Sequence, residues 1–567
     1  MKKQAIKLLS LMLTILLIFT VVPLTVFNVS ALNHSGNCGE SVTWDLDTAT
    51  GSLLISGSGA MDNYLSNGTP WYQLNEYVKD VVIGDGVTSI GNWSFGYCNK
   101  LTSLTIGNSV TVIGEHAFDS CTSLPDITVA NSVTEIRKYA FHYCTAVTSV
   151  TIPDSVKTIG EYAFGNCNNL TSVELGSSVN DVNTAAFANC PSLESVSVDS
   201  NNSIYHSDGN CIIQTENKAL VIGIKNSVIP TDNSVTSIGE KAFYQCASLK
   251  AIDIPDSVTV INSYAFSGCG GLENLTVPDT LTSIGNWAFS YCGKLADFTV
   301  PDNVTYIGDA AFNSCVGLSS FTVHDGVTYL GSMAFQNCTS LADVTVGNSV
   351  ASLGDYTFYG CESLKNVIIG NSVTAISNSA FSGCAEIESI SVKEENPAYH
   401  SSGDCLIATT EKTIVLGCKN SVIPDDGSVT AIGEDAFAGK ELKEIIIPVE
   451  ITEIKRFAFS GCGELTDIYY TGSEQQKTQI VINNDYQCNK YLLNATWHYN
   501  YAPHTPGDVN GDGNVNNKDL TRLFQHLSNW DVEVSAGATD VNGDGNVNNK
   551  DLTRLFQYLS DWDVEIF

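Results

Sequence analysis

Basic residues are scarce in this chain. Lys and Arg together number 27 against 61 Asp and Glu, a net charge of −34 at pH 7. Nucleic acid is disfavoured as a partner, because its backbone needs clustered cations. Compact catalytic signatures are missing too: no Gly-x-Ser-x-Gly, His-Glu-x-x-His or P-loop is present. The 18 Cys include no pair at Cys-x-x-Cys spacing, which argues against a zinc site. What the chain does hold is 43% hydrophobic residues over 567 positions. That is ample for a folded interior and too long for one compact core, so several domains or a repeat array are expected. The excess of carboxylates suits a soluble extracellular protein and supplies natural ligands for calcium.

The start reads as a secretory signal. Lys2, Lys3 and Lys7 precede a mostly apolar stretch from Leu8 to Phe27, and Val29-Ser30-Ala31 offers a small-residue cleavage site. Cleavage after Ala31 is expected, making 1–31 a signal peptide. The competing reading is an uncleaved anchor, since the stretch is long enough to span a bilayer. No other segment is apolar enough to do so.

A 23-residue period fills the middle. Phe95, Phe118, Phe141, Phe164 and Phe187 are equally spaced, as are Phe243, Phe266, Phe289, Phe312, Phe335, Phe358 and Phe381; Phe437 and Phe459 close the series. Three residues after nearly every Phe stands a Cys, Lys440 being the exception. Short β-branched stretches such as Val110–Ile113 alternate with turn glycines such as Gly107 and Gly114. One unit cannot bury its own Leu, Ile and Phe, but stacked units bury them against one another, and 23 residues lies within the leucine-rich-repeat range. The recurring phrase Asp-Ser-Val-Thr-x-Ile-Gly-x-x-Ala-Phe-x-x-Cys resembles the BspA-like family of bacterial leucine-rich repeats. That resemblance implies a mostly β solenoid, found on secreted and surface proteins, that adheres or binds protein rather than catalyses. The expected layout is a β-hairpin N-terminal cap at 32–80, the solenoid at 81–466, a C-terminal cap at 467–500 and a linker at 501–506.

Within the solenoid, one Cys per coil at a fixed position gives parallel, stacked side chains, so a buried ladder of thiols is expected rather than disulfides. Two breaks of 33 extra residues interrupt the period, near 197–230 and 391–424, and each looks like an added hairpin with Gly in its turn. His206 and His400 occupy matching positions there and are read as structural, because no fixed nucleophile or carboxylate accompanies them. Two residues before the Phe stand Trp93, Tyr139, Tyr162, Tyr264, Trp287 and Tyr356, with His116 and Phe457 in the same column. These rings form a possible ligand stripe that stacks on sugars or anchors a protein; alternatively they only cover the edge of each coil.

Asp508–Val534 and Asp540–Ile566 are near copies, each opening Asp-Val-Asn-Gly-Asp-Gly-Asn-Val-Asn-Asn-Lys-Asp. A hard calcium ion takes six to eight oxygens, and a twelve-residue loop supplies them from positions 1, 3, 5, 7 and 12. Those positions are Asp508, Asn510, Asp512, Asn514 and Asp519, then Asp540, Asn542, Asp544, Asn546 and Asp551, so two calcium ions are expected. Asp replaces the usual Glu at position 12, which leaves the mode of its grip open. Leu520, Leu523, Phe524 and Leu527 predict an amphipathic helix after the first loop. Loop then helix, twice, resembles a type I dockerin over 507–567. The resemblance implies a cohesin module of a scaffoldin as partner, in a cellulosome-type complex associated with polysaccharide catabolism. Its cohesin-reading residues would be Asn517, Lys518, Phe524, Gln525 and Asn529, with Asn549, Lys550, Phe556, Gln557 and Asp561 in the second copy. Many dockerins have Ser or Thr at the first pair and Lys or Arg on the helix, so Asn-Lys and Phe-Gln point to a different cohesin specificity. The reading is a secreted, non-catalytic binding or adhesion subunit. Its rival is an enzyme of the complex, since most dockerin-bearing chains are glycoside hydrolases or related enzymes.

Overall fold

The computed structural model describes residues 33–501, 507–510, 515–528, 532, 534, 538–539, 541–542, 546–560 and 566. The expected signal peptide, most of the linker, and Asp512, Asn514, Asn529, Asp540, Asp544 and Asp561 lie outside them. The chain divides into two units, Met1–Leu364 with Ala375–Ala380, and Lys365–Thr374 with Phe381–Phe567. Its fold is a mostly β solenoid with two further helices near the C-terminus.

In the first unit the repeat forms parallel coils. Val112–Ile113, Glu135–Ile136, Thr158–Ile159 and Asp181–Val182 are two-residue strands paired in register, Ile113 to Ile136 to Ile159 to Val182. The register equals the sequence period, so every side chain lies on its counterpart one coil away. The Phe column shows the consequence. Phe95, Phe118, Phe141 and Phe164 are fully buried, and successive rings stack at 5.1, 5.1 and 5.4 Å. The column continues from Phe243 to Phe358 with spacings of 5.0 to 5.6 Å. Each such pair contributes about 0.5–1.5 kcal/mol beyond the burial of its area. Backbone bonds reinforce it: the Phe118 amide donates to the Ala140 carbonyl at 2.8 Å and the Phe141 amide to Ala163 at 2.7 Å.

The chain rounds each Phe through two residues in the left-handed region. Trp93 (φ 59°) and Tyr97 (φ 64°) flank Phe95, and Tyr139 (φ 59°) and Tyr143 (φ 56°) flank Phe141. This conformation costs about 1–2 kcal/mol for a residue with a Cβ, and burial of the enclosed Phe offsets it.

None of the 18 cysteines is in a disulfide. The column thiols do more than fill space, since most reach back to the Phe carbonyl of the coil before: Cys121 Sγ donates to Phe95 O at 3.3 Å, Cys144 to Phe118 O at 3.3 Å and Cys292 to Phe266 O at 3.2 Å. Burial pushes the Cys98 thiol up to about 12.

At the first break the added residues form a meander rather than a lone hairpin. Tyr205–Asp208 pairs antiparallel with Cys211–Gln214, which pairs antiparallel with Ala219–Gly223; that third strand joins Ser237–Ile238 in parallel. Gly223 takes the place where the next ring would stack, and a Cβ there would sit 2.1 Å from the Phe243 ring. The N-terminal end is closed by Val42–Asp47 and Ser52–Gly57, an antiparallel pair, and by Trp71, which is fully buried and stacks on Phe95 at 5.6 Å.

The second unit repeats these devices. Tyr399–Ser402, Cys405–Ala408 and Thr413–Leu416 form the same meander, and Gly417 approaches Phe437 as Gly223 approaches Phe243. Phe437 stacks on Phe459 at 5.3 Å. No further Phe coil follows, and the Asn489 side chain takes its place: Asn489 is buried, accepts the Phe459 amide at 2.9 Å and donates to Lys455 O. Lys440, standing where the column has Cys, is 2% exposed and donates through Nζ to the Cys384 carbonyl.

Two outcomes are expected. Phe266→Ala lowers stability by about 3–5 kcal/mol, read from urea denaturation. The native protein leaves its column thiols unmodified by a thiol reagent at pH 8, whereas the urea-unfolded protein reacts at all of them, because only the thiolate attacks and burial suppresses it.

Candidate functional site

The C-terminal module is built from two helices, α1 (Asn517–Leu527) and α2 (Asn549–Leu559). Each begins with a capping box set by the preceding loop. Asn516 accepts the Lys518 amide at 2.9 Å, while the Asn516 amide donates to Asp519 Oδ2 at 2.8 Å. Asn548, Lys550 and Asp551 repeat this at 2.9 and 2.8 Å. Asp519 Oδ1 also accepts the Asn510 amide at 2.9 Å, and Asp551 Oδ1 the Asn542 amide at 3.1 Å. The carboxylate at loop position 12 thus ties the start of its loop to the start of its helix.

Asp519 and Asp551 are fully buried and Asp508 nearly so. Buried carboxylates demand a compensating positive charge, and calcium is the hard cation that an all-oxygen loop of Asp and Asn supplies with ligands. The donor set therefore fits a calcium ion. Asn510 and Asn542 are half-buried and Asn546 is exposed. No cluster of three His, Cys, Asp or Glu forms among the described residues, Asp512, Asp540 and Asp544 being outside them.

The two helices share a small core in which every residue has its copy: Val509 with Val541, Leu523 with Leu555. Outside it lies a groove of about 440 Å³ lined by Leu520, Thr521 and Phe524 from α1 and by Leu552, Thr553 and Phe556 from α2. These are equivalent positions of the two copies, so both helices present the same side chains to the groove. Phe524 is 54% exposed and Phe556 52%. Asn517, Lys518, Asn549 and Lys550 are exposed at the helix starts, and Gln525 and Gln557 are half-buried.

The structure places the aromatic column of the repeat on its own neighbours. Trp93 stacks on His116 at 4.0 Å, His116 on Tyr139 at 4.6 Å and Tyr139 on Tyr162 at 5.3 Å, all within 6° of parallel. Tyr264 and Trp287 are parallel at 6.1 Å. The rings are half-buried, except Tyr356, which is 43% exposed. Their faces are turned to one another, which leaves edges for a ligand and weakens the stripe as a stacking platform. His206 and His400 each bond a threonine of their own meander, Thr215 and Thr409, at 2.9 Å.

A second column, two residues after the Phe, was not singled out from the sequence: Tyr97, Ser120, Tyr143, Asn166, Asn189, Gln245, Gly268 and Tyr291 stand there, all at positive φ. Its recurring Asn and Gly, residues that tolerate the left-handed region, were the available signal. Beside it lies a polar cluster. Asp119, 6% exposed, accepts from His116 Nδ1 at 2.6 Å and Ser120 Oγ at 2.9 Å, and lies 3.4 Å from His142 Nδ1. Burial raises the Asp119 carboxyl, but the nearby His142 imidazole and the hydrogen bonds from His116 and Ser120 outweigh it and hold its pKa below the ordinary value. Ser, His and Asp meet here, yet the serine hydroxyl bonds the carboxylate and not an imidazole, so no base activates it as acyl transfer requires.

A group held below its ordinary pKa stabilises the fold above the unfolded value and loses that contribution as pH falls through the folded one. Asp119→Asn is therefore expected to cost about 1–3 kcal/mol at pH 7. The gap from wild type should shrink as the pH of urea denaturation is lowered below the carboxylate range.

A family model described as BspA type leucine rich repeat region matches residues 72–209, 221–342, 333–402 and 416–497, more than half of the chain. One described as dockerin type I domain matches 506–560. A leucine-rich repeat protein from Eubacterium ventriosum is similar in structure at 25% identity and a TM-score of 0.55, over 62% of this chain and 95% of that one. The chain is also similar to a leucine-rich repeat protein from Bacteroides ovatus at 24% identity and a TM-score of 0.43, over 81% of this chain and 98% of that one. No curated protein matches the chain.

Proposed function

The chain belongs to the BspA-type leucine-rich-repeat proteins and carries a C-terminal type I dockerin domain, and on that premise we propose that it is a secreted, non-catalytic binding subunit of a cellulosome-type complex. The dockerin plugs it into a cohesin of a scaffoldin, and the repeat presents a recognition surface. The observation that carries this reading is the groove with Phe524 and Phe556 at equivalent places: two exposed aromatics over paired helices form the kind of centre on which a protein partner gains most of its affinity.

Dockerin type I domains bind calcium, and two loops with one buried carboxylate each at position 12 support two ions here. Asp508, Asn510, Asp512, Asn514 and Asp519 hold the first ion, and Asp540, Asn542, Asp544, Asn546 and Asp551 the second. The ions neutralise the buried carboxylates and so let the helices pack; without them the module unfolds. Cohesin is read by Asn517, Lys518, Phe524, Gln525 and Asn529, or equally by Asn549, Lys550, Phe556, Gln557 and Asp561, because half a turn about the pseudo-two-fold axis exchanges the sets. No helix among the described residues is long and apolar enough to cross a membrane. In this reading anchoring falls to the dockerin, and export to the segment ending at Ala31. Association with polysaccharide breakdown belongs to the complex rather than to chemistry in this chain.

Capture of the full-length protein by a scaffoldin fragment bearing cohesins should be lost when calcium is chelated and restored when it is returned. Capture that ignores the chelator sinks the dockerin reading. Lys518→Ala with Phe524→Ala should leave capture within about threefold of wild type, whereas adding Lys550→Ala and Phe556→Ala should weaken it by more than 100-fold, each tenfold being about 1.4 kcal/mol. Loss of capture with one copy altered excludes two orientations. Turnover of plant polysaccharides or peptides by the purified protein excludes the non-catalytic reading.

A further inference from the structure

We propose that the first unit carries a binding groove for an uncharged polysaccharide chain, crossing the coils from Phe141 to Phe266 and centred on Tyr143, Tyr162, Asn166, Asn189 and Gln245. The proposal names a ligand for the repeat and so rests on the reading of the repeat as a recognition surface.

The groove is an open trough of about 580 Å³. It arises where the ring column stops. Tyr139 and Tyr162 stack on each other, but the next coil has Ala185 in that column, and Lys241, in the coil after, is drawn to Glu161 at 3.0 Å. Beyond Tyr162 the column therefore has no further stacked ring for two coils, and Tyr244 meets Tyr162 edge-on at 6.4 Å.

Its chemistry selects the ligand. In a chain with 61 acidic residues, the lining contains no Asp, Glu, Lys or Arg. A neighbouring trough, by contrast, is lined by Asp154, Glu174 and Asp199. An uncharged lining gives no electrostatic advantage to ions of either sign. Three carboxamides, three phenols and an imidazole supply paired donors and acceptors, which match the adjacent hydroxyls of a sugar, while the tyrosine rings offer apolar surface to its C–H groups. A protein hot spot would want a desolvated apolar centre, which this trough lacks.

The amides are also held in place. Asn166 Nδ2 donates to His142 Nε2 at 2.8 Å, which puts the ring hydrogen on Nδ1, toward Asp119. Asn189 Nδ2 donates in turn to Asn166 Oδ1. His142 and the two amides thus form a hydrogen-bonded chain that ends at Asn189 inside the groove, and fixed donors bind without the cost of ordering them. Asn166 and Asn189 stand at one column position on successive coils, and Gln245 takes the same position on the next Phe coil, beyond the meander. Adjacent coils lie about 4.8 Å apart, close to the advance of one sugar unit in an extended chain, so one bonding pattern can recur along the ligand.

The test is affinity electrophoresis of the full-length protein, with calcium chelated, in native gels containing arabinoxylan, hydroxyethylcellulose or polygalacturonate. Retardation is expected in at least one of the two neutral polymers and not in polygalacturonate. Tyr143→Ser, Asn189→Gly and Gln245→Ser combined should weaken it at least tenfold. Residues of these kinds already stand in this column as Ser120, Ser314 and Gly268, and the circular dichroism melt should be unchanged. Tyr291→Ser, in the same column outside the groove, should have no effect. Should the triple variant fail to fold, Tyr143→Ser alone should weaken retardation at least threefold. The proposal is overturned by no retardation in either neutral polymer, by equal retardation in polygalacturonate, by indifference to the variants, or by capture of a protein through the groove without retardation in the gels. Cohesin capture is measured separately with calcium present, so failure in the gels leaves the dockerin reading standing.

Discussion

Within a run of coils the Phe rings of the repeat stack 5.0 to 5.6 Å apart, and the other columns take their places around them. The spacing is that of neighbouring strands, so ring stacking and backbone pairing are satisfied by one translation. To enclose the ring the chain turns through two left-handed residues, and the thiol three places on bonds the Phe carbonyl of the coil before. A cysteine suits that place because it is small, apolar in bulk and still a weak donor. Trp71 and Asn489 end the stack in chemically different ways: Trp71 continues it with another aromatic face, and Asn489 accepts a backbone hydrogen that a further coil would have taken.

Function follows from where this economy is relaxed. Side chains outside the turns are free to vary from coil to coil, because the backbone of one coil is held by the next whatever they are. A regular stretch such as Trp93, His116, Tyr139 and Tyr162 uses that freedom for a self-stacked edge. Where Ala185 breaks the regularity, a trough with fixed amides opens. The dockerin uses a different physics at a smaller scale. Its core is a handful of Val and Leu with their copies, and the buried Asp519 and Asp551 tie each loop to its helix through backbone amides.

Repeat period, register and the buried thiols were legible from residue spacing, since a solenoid translates sequence period directly into contact. The dockerin was legible because its duplicated loop carries the same residue types at fixed offsets. The helices were legible from the placement of Leu520, Leu523, Phe524 and Leu527. The meanders were read only as hairpins, because their third strand pairs with a coil and carries no local turn signal. The tyrosines and tryptophans before the Phe looked like a platform, and spacing alone could not say that stacking turns their faces to one another.

The amino-acid sequence by itself determined which residues repeat, hence which are buried, and it specified the dockerin through oxygen ligands at set intervals. Both are properties of local order along the chain. Only the tertiary structure decided that Phe524 and Phe556 share one groove, and that Asp119, His142, Asn166 and Asn189 come together. Those relations link residues on different coils or different helices, and they exist only once neighbouring elements lie within hydrogen-bond and van der Waals reach.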